Sequence, residues 1–222
     1  MQYQIIKTGS AGNCVILGGF LAVDMGVPYK ELKAVEKDIK LVLLTHIHSD
    51  HFNRATIRRL HERRPSIRFV CCEWLRQPLL DAGVAERVID VVEPGEEWYY
   101  GVNCGVRIRA QRLWHNVPNC GYHLTFGRFR VFYATDTGTL EGVEAMDYDL
   151  YMVEANHTQA DIEQRFADKR AADTYAYERS AAAYHLSREQ AEDWVYRNIG
   201  SKGKYVFLHQ HTEQEGGSSI GS

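Results

Sequence analysis

With 222 residues, 45% of them hydrophobic and 25% charged, the chain can bury a sizeable core and is too apolar to be disordered over most of its length. Its formal net charge of −3 excludes the overall basic excess of a protein that grips long nucleic acid by its phosphates, although a local basic patch stays open. Five cysteines (Cys14, Cys71, Cys72, Cys104 and Cys120) are odd in number and include no Cys-x-x-Cys pair, which argues against a disulfide framework and for a reducing compartment. No apolar stretch approaches the length that spans a bilayer and the first residues lack a signal-peptide pattern, so the expectation is a cytoplasmic protein with no membrane partner.

In chain order, Tyr3–Lys7 reads as a strand, followed by the tight turn Gly9-Ser10-Ala11-Gly12-Asn13 and a hairpin of Cys14–Leu17 and Phe20–Val23 about Gly18-Gly19. Pro28–Lys37 reads as a helix with proline in its first turn. Ile39–Leu44 is a short apolar run that reads as a buried strand. Ala55–Arg63 is a basic amphipathic helix, Ile67–Cys71 a strand, and Glu73–Ala82 a helix ended by Gly83. Strands are expected near Val88–Val92, Val106–Arg112, Tyr122–Phe126, Phe129–Ala134 and Asp149–Glu154. Thr158–Ala183 reads as a polar helix and Ser187–Asn198 as a helix with a Ser187/Gln190 capping box. Tyr205–Leu208 is a last strand, and 216–222 a flexible tail. The expectation is one domain, 1–222, with two mixed sheets packed face to face and helices outside, an α/β (α+β) sandwich.

The chemistry is concentrated in Thr45-His46-Ile47-His48-Ser49-Asp50-His51, where three imidazoles and a carboxylate follow the strand Ile39–Leu44. Imidazole suits zinc and similar ions, while carboxylate also suits harder cations such as manganese. In a sharp turn four such side chains divide between two ions rather than converge on one, which points to a two-metal hydrolytic centre. Three later residues share the habit of lying just past an apolar strand: His115, Asp136 and His209. The resulting division gives His46, His48 and His115 to one ion and Asp50, His51 and His209 to the other, with Asp136 as bridge. His209 is preferred to His211, two residues on and on the same side of a strand. Glu154 at a strand end and His185 before the last helix suggest a carboxylate–imidazole general acid. Asp24 is expected to orient the cluster rather than bind metal. His157 is a substrate contact or a structural hydrogen bond, and His61 and His123 are expected to be inert.

These residues, together with Gly9–Asn13, Thr135-Asp136-Thr137-Gly138, Glu154-Ala155-Asn156-His157 and His185-Leu186-Ser187, resemble the metallo-β-lactamase superfamily over about residues 3–212. Within it the pattern is most similar to the ribonuclease Z-like branch, near the WalJ (YycJ)-type DNA exonucleases and the phage anti-Pycsar phosphodiesterases that destroy cyclic nucleotides. The resemblance implies an αββα sandwich, two divalent ions (zinc or manganese) and hydrolysis of a phosphodiester in nucleic acid or a nucleotide. It also implies Asp50 as a base near the water, His185 paired with Glu154 as general acid, and dimerisation as a common habit of relatives. Tyr184 stands where the family has glycine, His209-Gln210-His211-Thr212 matches only loosely, and no long transfer-RNA-gripping arm is present. The alternative is hydrolysis of a lactone, thioester or β-lactam by the same centre, against which the Glu154/His185 pair speaks. A non-catalytic nucleotide-binding protein would carry degenerate ligands, and none is evident.

Overall fold

A computed structural model describes residues 1–101, 104–169, 183–209 and 220–221. The chain divides into two compact units, Met1–Arg112 and Leu113–Ser222.

In the first unit six strands lie in sequence order: β1 (Tyr3–Lys7), β2 (Cys14–Leu17), β3 (Leu21–Val23), β4 (Leu41–Leu43), β5 (Arg68–Cys71) and β6 (Ile89–Val91). The first three form an antiparallel meander and β3 to β6 are parallel. Parallel neighbours need crossover connections, supplied by α1 (Tyr29–Leu32), α2 (Arg54–Arg63) and α3 (Arg76–Asp81). The core packs Ile16, Ala22, Val42, Leu44 and Phe69 of the sheet with Leu32, Ile57, Leu60 and Leu79 of the helices. Asn53 caps α2 by accepting from the Thr56 amide, and the buried Ile57, Leu60 and His61 show which stripe the amphipathic pattern turns inward.

Two local expectations shift. The helix foreseen over 28–37 stops at Leu32 and continues as turns, in which Val35 and Asp38 bond three residues back while Glu36 bonds four, so the regular ladder is broken. The helix foreseen over 73–82 begins as a 3₁₀ turn, Glu73–Leu75, and Pro78 is tolerated because it lies in the first turn of α3. A strand that the sequence did not announce, β7 (Glu97–Tyr100), pairs antiparallel with β8 (Val106–Leu113). Its run of a glutamate and three aromatics has no apolar/polar alternation, and Glu97, Trp98 and Tyr99 are exposed.

In the second unit β9 (Asn119–Phe126), β10 (Phe129–Ala134), β11 (Leu150–Glu154), β12 (Lys204–Leu208) and β13 (Ile220–Gly221) are sheet neighbours in that order. The pair β9/β10 is antiparallel, β10/β11 and β11/β12 are parallel, and β13 returns antiparallel. Phe132, Tyr151, Val153 and Phe207 of these strands pack with Leu186 and with Trp194 and Val195 of α5 (Arg188–Asn198). The capping box of α5 is formed by Ser187 and Gln190, as its sequence predicts. Of the polar helix expected over 158–183, α4 (Gln159–Lys169) is present and 170–182 lie outside the described residues. The tail expectation needs correction at Ile220–Gly221, which pair with Val206 and Tyr205. An open strand edge offers unpaired backbone groups, and this pairing satisfies some of them. Residues 216–219 and 222 lie outside the described set. No helix among the described residues is long and apolar enough to cross a membrane.

One close approach in the first unit explains a glycine. Gly26 donates to the Asn13 carbonyl at 2.9 Å, and a Cβ built on it would lie 1.6 Å from the Asp50 carbonyl oxygen and 2.7 Å from the His51 nitrogen. We expect Gly26→Ala to cost about 3 kcal/mol in urea unfolding, because backbone rather than a flexible side chain must move. A loss below about 1 kcal/mol would contradict this packing.

Candidate metal centre

In the first unit β3 and β4 are parallel with Val23 opposite Leu43, so Asp24 and the Thr45–His51 turn leave the sheet at the same, carboxyl edge. That edge is where open parallel sheets place their ligands. Asp24 is fully buried and takes a left-handed conformation, φ 61°, uncommon for a residue with a Cβ. Its Oδ1 accepts from the Thr45 amide and hydroxyl at 3.0 Å each, and its Oδ2 lies 2.7 Å from His51 Nδ1. An ionised carboxylate only accepts, so His51 carries its proton on Nδ1 and its Nε2 is the nitrogen that could serve as a metal ligand. The Thr45 hydroxyl also lies 2.9 Å from His46 Nδ1. Because that hydroxyl donates to Asp24, it accepts from His46, which likewise turns His46 Nε2 outward. His48 Nδ1 faces this Nε2 at 3.2 Å. Two ring nitrogens pointed at one another suit a shared cation. Asp50 Oδ2 lies 3.5 Å from His51 Nε2.

Asn13 ties the turn from beneath, its backbone amide donating to the Asp50 carbonyl at 2.6 Å and its side-chain amide meeting Asp50 Oδ2 at 3.3 Å and His51 Nε2 at 2.9 Å. Asn13 and Thr45 were present in the motifs singled out above without a role; a glycine-rich turn ending in Asn was the available signal.

The second unit repeats the device. Asp136 follows β10, Glu154 ends β11 and His209 follows β12, with Ala134 opposite Val153 and Glu154 opposite Leu208 across parallel ladders. Asp136 and His209 are again left-handed, φ 56° and 52°. The Asn119 side chain holds the first bend by donating to the carbonyls of Thr135 and Asp136 at 2.9 and 2.6 Å, and Asn156 donates to the His209 carbonyl at 3.3 Å. Glu154 is fully buried; its Oε1 accepts from the Thr137 and Leu186 amides at 2.5 and 3.3 Å, and its Oε2 lies 2.9 Å from His185 Nδ1. Burial opposes its ionisation, but hydrogen bonds from His185 and His209 outweigh that and hold its pKa below the ordinary carboxylate value. With both oxygens so engaged, Glu154 acts as a partner for His185.

Asp136 Oδ1 lies 3.3 Å from His185 Nδ1 and 3.5 Å from His209 Nδ1. Asp136, Glu154, His185 and His209 each bring a donor atom within 4.8 Å of the others; with Glu154 and His185 turned to one another, Asp136 and His209 are the candidate cation ligands of this group. His115, past the end of β8, places Nδ1 3.1 Å from the Tyr184 carbonyl, so that its Nε2 is the nitrogen that could serve as a metal ligand, and its ring lies 5.1 Å from that of His185. Tyr184 thus meets His115 through both its backbone carbonyl and its ring. His211 lies outside the described residues.

The other histidines have structural partners. His61 Nε2 accepts from the Ala85 amide, and burial lowers its pKa. His123 pairs with the Tyr148 hydroxyl at 2.9 Å, and His157 forms a backbone bridge to Ser187. The basic run on α2 is largely occupied: Arg58 and Arg64 donate to backbone carbonyls, Arg59 lies over Tyr29 and Arg63 pairs with Glu36.

Residues 22–209 match the sequence profile of the β-lactamase superfamily domain. No curated protein sequence matches. Among solved structures, the metallo-β-lactamase fold protein YhfI from Bacillus subtilis is 17% identical with a TM-score of 0.69, the match covering 96% of this chain and 87% of that one. The short form of human tRNase Z (ELAC1) is 17% identical with a TM-score of 0.68, covering 95% and 93%. Zinc-bound PqqB from Methylobacterium extorquens is 13% identical with a TM-score of 0.70, covering 95% and 89%. At these identities the likeness is one of fold.

Asp24→Asn keeps the volume but removes the charge that fixes two imidazoles. Zinc affinity should fall by about 10- to 100-fold in a chelator competition. An affinity within twofold of wild type would contradict the orienting role.

Proposed function

The chain belongs to the metallo-β-lactamase superfamily, and from that premise we propose that it is a metal-dependent phosphodiesterase acting on nucleic acid or a nucleotide. The proposed ligand set is His46, His48 and His115 for one ion, Asp50, His51 and His209 for the other, and Asp136 for both. Bound divalent ions, zinc or manganese, would supply Lewis-acid charge against the phosphate and lower the pKa of water from 15.7 to about 7. The zinc in PqqB and the tRNase Z neighbour support this reading.

The observation that carries it is the Glu154–His185 pair beside Asp136. Glu154 holds the proton on His185 Nδ1 and stabilises the imidazolium, so His185 Nε2 can deliver a proton to a departing alkoxide. A carboxylate fixed by two backbone amides cannot swing away, which keeps that proton aimed. In this reading Asp50 would serve as the base that takes a proton from the water. Protonating a poor leaving group matters for a phosphodiester, whereas opening a strained lactone needs it less.

His48→Ala and Asp136→Ala should abolish turnover, whereas His185→Ala should lower kcat by about 10²–10⁴-fold with metal content unchanged. Parallel assays on bis(p-nitrophenyl) phosphate, single-stranded DNA, RNA, cyclic mononucleotides and an acyl-homoserine lactone check the substrate class. Turnover of the lactone alone would overturn the phosphodiesterase assignment in favour of a carbonyl hydrolase.

A further inference from the structure

Arg112 in β8 differs from the arginines of α2. It is exposed, and no carboxylate lies within ion-pair range of it among the described residues. Its guanidinium carbon instead sits 4.7 Å from the centre of the Trp74 ring. Trp74 follows β5 at the carboxyl edge of the parallel sheet, and its indole N–H donates to the Thr45 carbonyl at 3.3 Å. Thr45 is the residue that orients His46. A cation is thereby fastened, through one indole, to the base of the histidine turn. Stacking on an aromatic face restricts a long side chain without consuming its N–H donors, which lie in the guanidinium plane. A planar fork with donors still directed outward matches the two non-bridging oxygens of a phosphodiester.

Building on the phosphodiesterase reading, we propose that Arg112, pre-oriented by Trp74, is a substrate-docking residue that grips a phosphate of the nucleotide chain. It contributes to binding rather than to the bond-breaking step, since it is held by Trp74 and not by the acid–base pair. A fixed fork discriminates for an anionic, phosphate-bearing substrate and against a neutral ester. It also gives a protein with a net charge of −3 a local point of attraction for such a substrate.

The test uses the metal-loaded full chain, with dithymidine phosphate as substrate and its phosphorothioate as a slowly hydrolysed ligand for calorimetry. Arg112→Ala should raise both KM and the phosphorothioate Kd about tenfold or more, with kcat and metal content unchanged. Arg112→Lys should recover only part of that loss, because an ammonium neither stacks nor binds in two-pronged fashion. Trp74→Leu should raise KM while leaving the charge in place. Values of KM and Kd within twofold of wild type for Arg112→Ala would overturn the proposal, as would a fall in kcat or metal content in place of a binding loss. A wild-type protein that binds the phosphorothioate without hydrolysing the diester would sink the hydrolase reading, while the calorimetric arm would still decide for or against Arg112.

Discussion

A single buried carboxylate governs the histidine turn of the first unit. Asp24 has no exposure, and an unpaired charge there would cost several kcal/mol. It is tolerated because three groups converge on it, the Thr45 amide, the Thr45 hydroxyl and His51 Nδ1. Each of these belongs to the turn that carries the proposed ligands, so satisfying the carboxylate and aiming the imidazoles are one event. The left-handed backbone at Asp24 costs about 1–2 kcal/mol and persists because the same three bonds over-determine it.

The second unit solves the same problem with neutral amides. Asn119 and Asn156 pin the left-handed bends at Asp136 and His209, and two backbone N–H groups pin Glu154. In both units parallel strands end together, and the first residues beyond the ladder are the ones with chemistry. A strand end frees the backbone from its pairing partners, which permits the sharp bends that point several side chains one way. The charged groups therefore sit on rigid supports, where a displacement of an ångström would matter.

Much of this was legible in the sequence because the relevant signals are short-range. An apolar run followed at once by His-x-His-x-Asp-His marks both a strand end and a candidate ligand cluster, and Asp136 and Glu154 likewise stand at strand ends. The Ser187/Gln190 box is likewise local. Four things were not legible. The strand Glu97–Tyr100 lacks alternation and owes its pairing to β8. The early stop of the helix at Leu32 reflects a break in the regular hydrogen-bond ladder that propensity does not encode. The pairing of Ile220–Gly221 depends on the open edge of β12 at Tyr205 and Val206, which the Gly/Ser-rich composition of the tail does not announce. The contributions of Thr45 and the Tyr184 carbonyl depend on which ring nitrogen each faces, and that of Asn119 on the two carbonyls it reaches, and a sequence carries no such information. The arginines after the cluster illustrate the converse: Arg58 and Arg64 are tied to backbone carbonyls, Arg59 to a ring and Arg63 to a carboxylate, none of which their spacing announces.

In the proposed function the oriented imidazoles and carboxylates hold a pair of cations. Elemental analysis of the purified chain, after equilibration with zinc or manganese and removal of loosely held ions by gel filtration, tests it most directly. Two divalent ions per chain are the predicted result. A chain that emerges with no stoichiometric metal after both treatments would contradict the account.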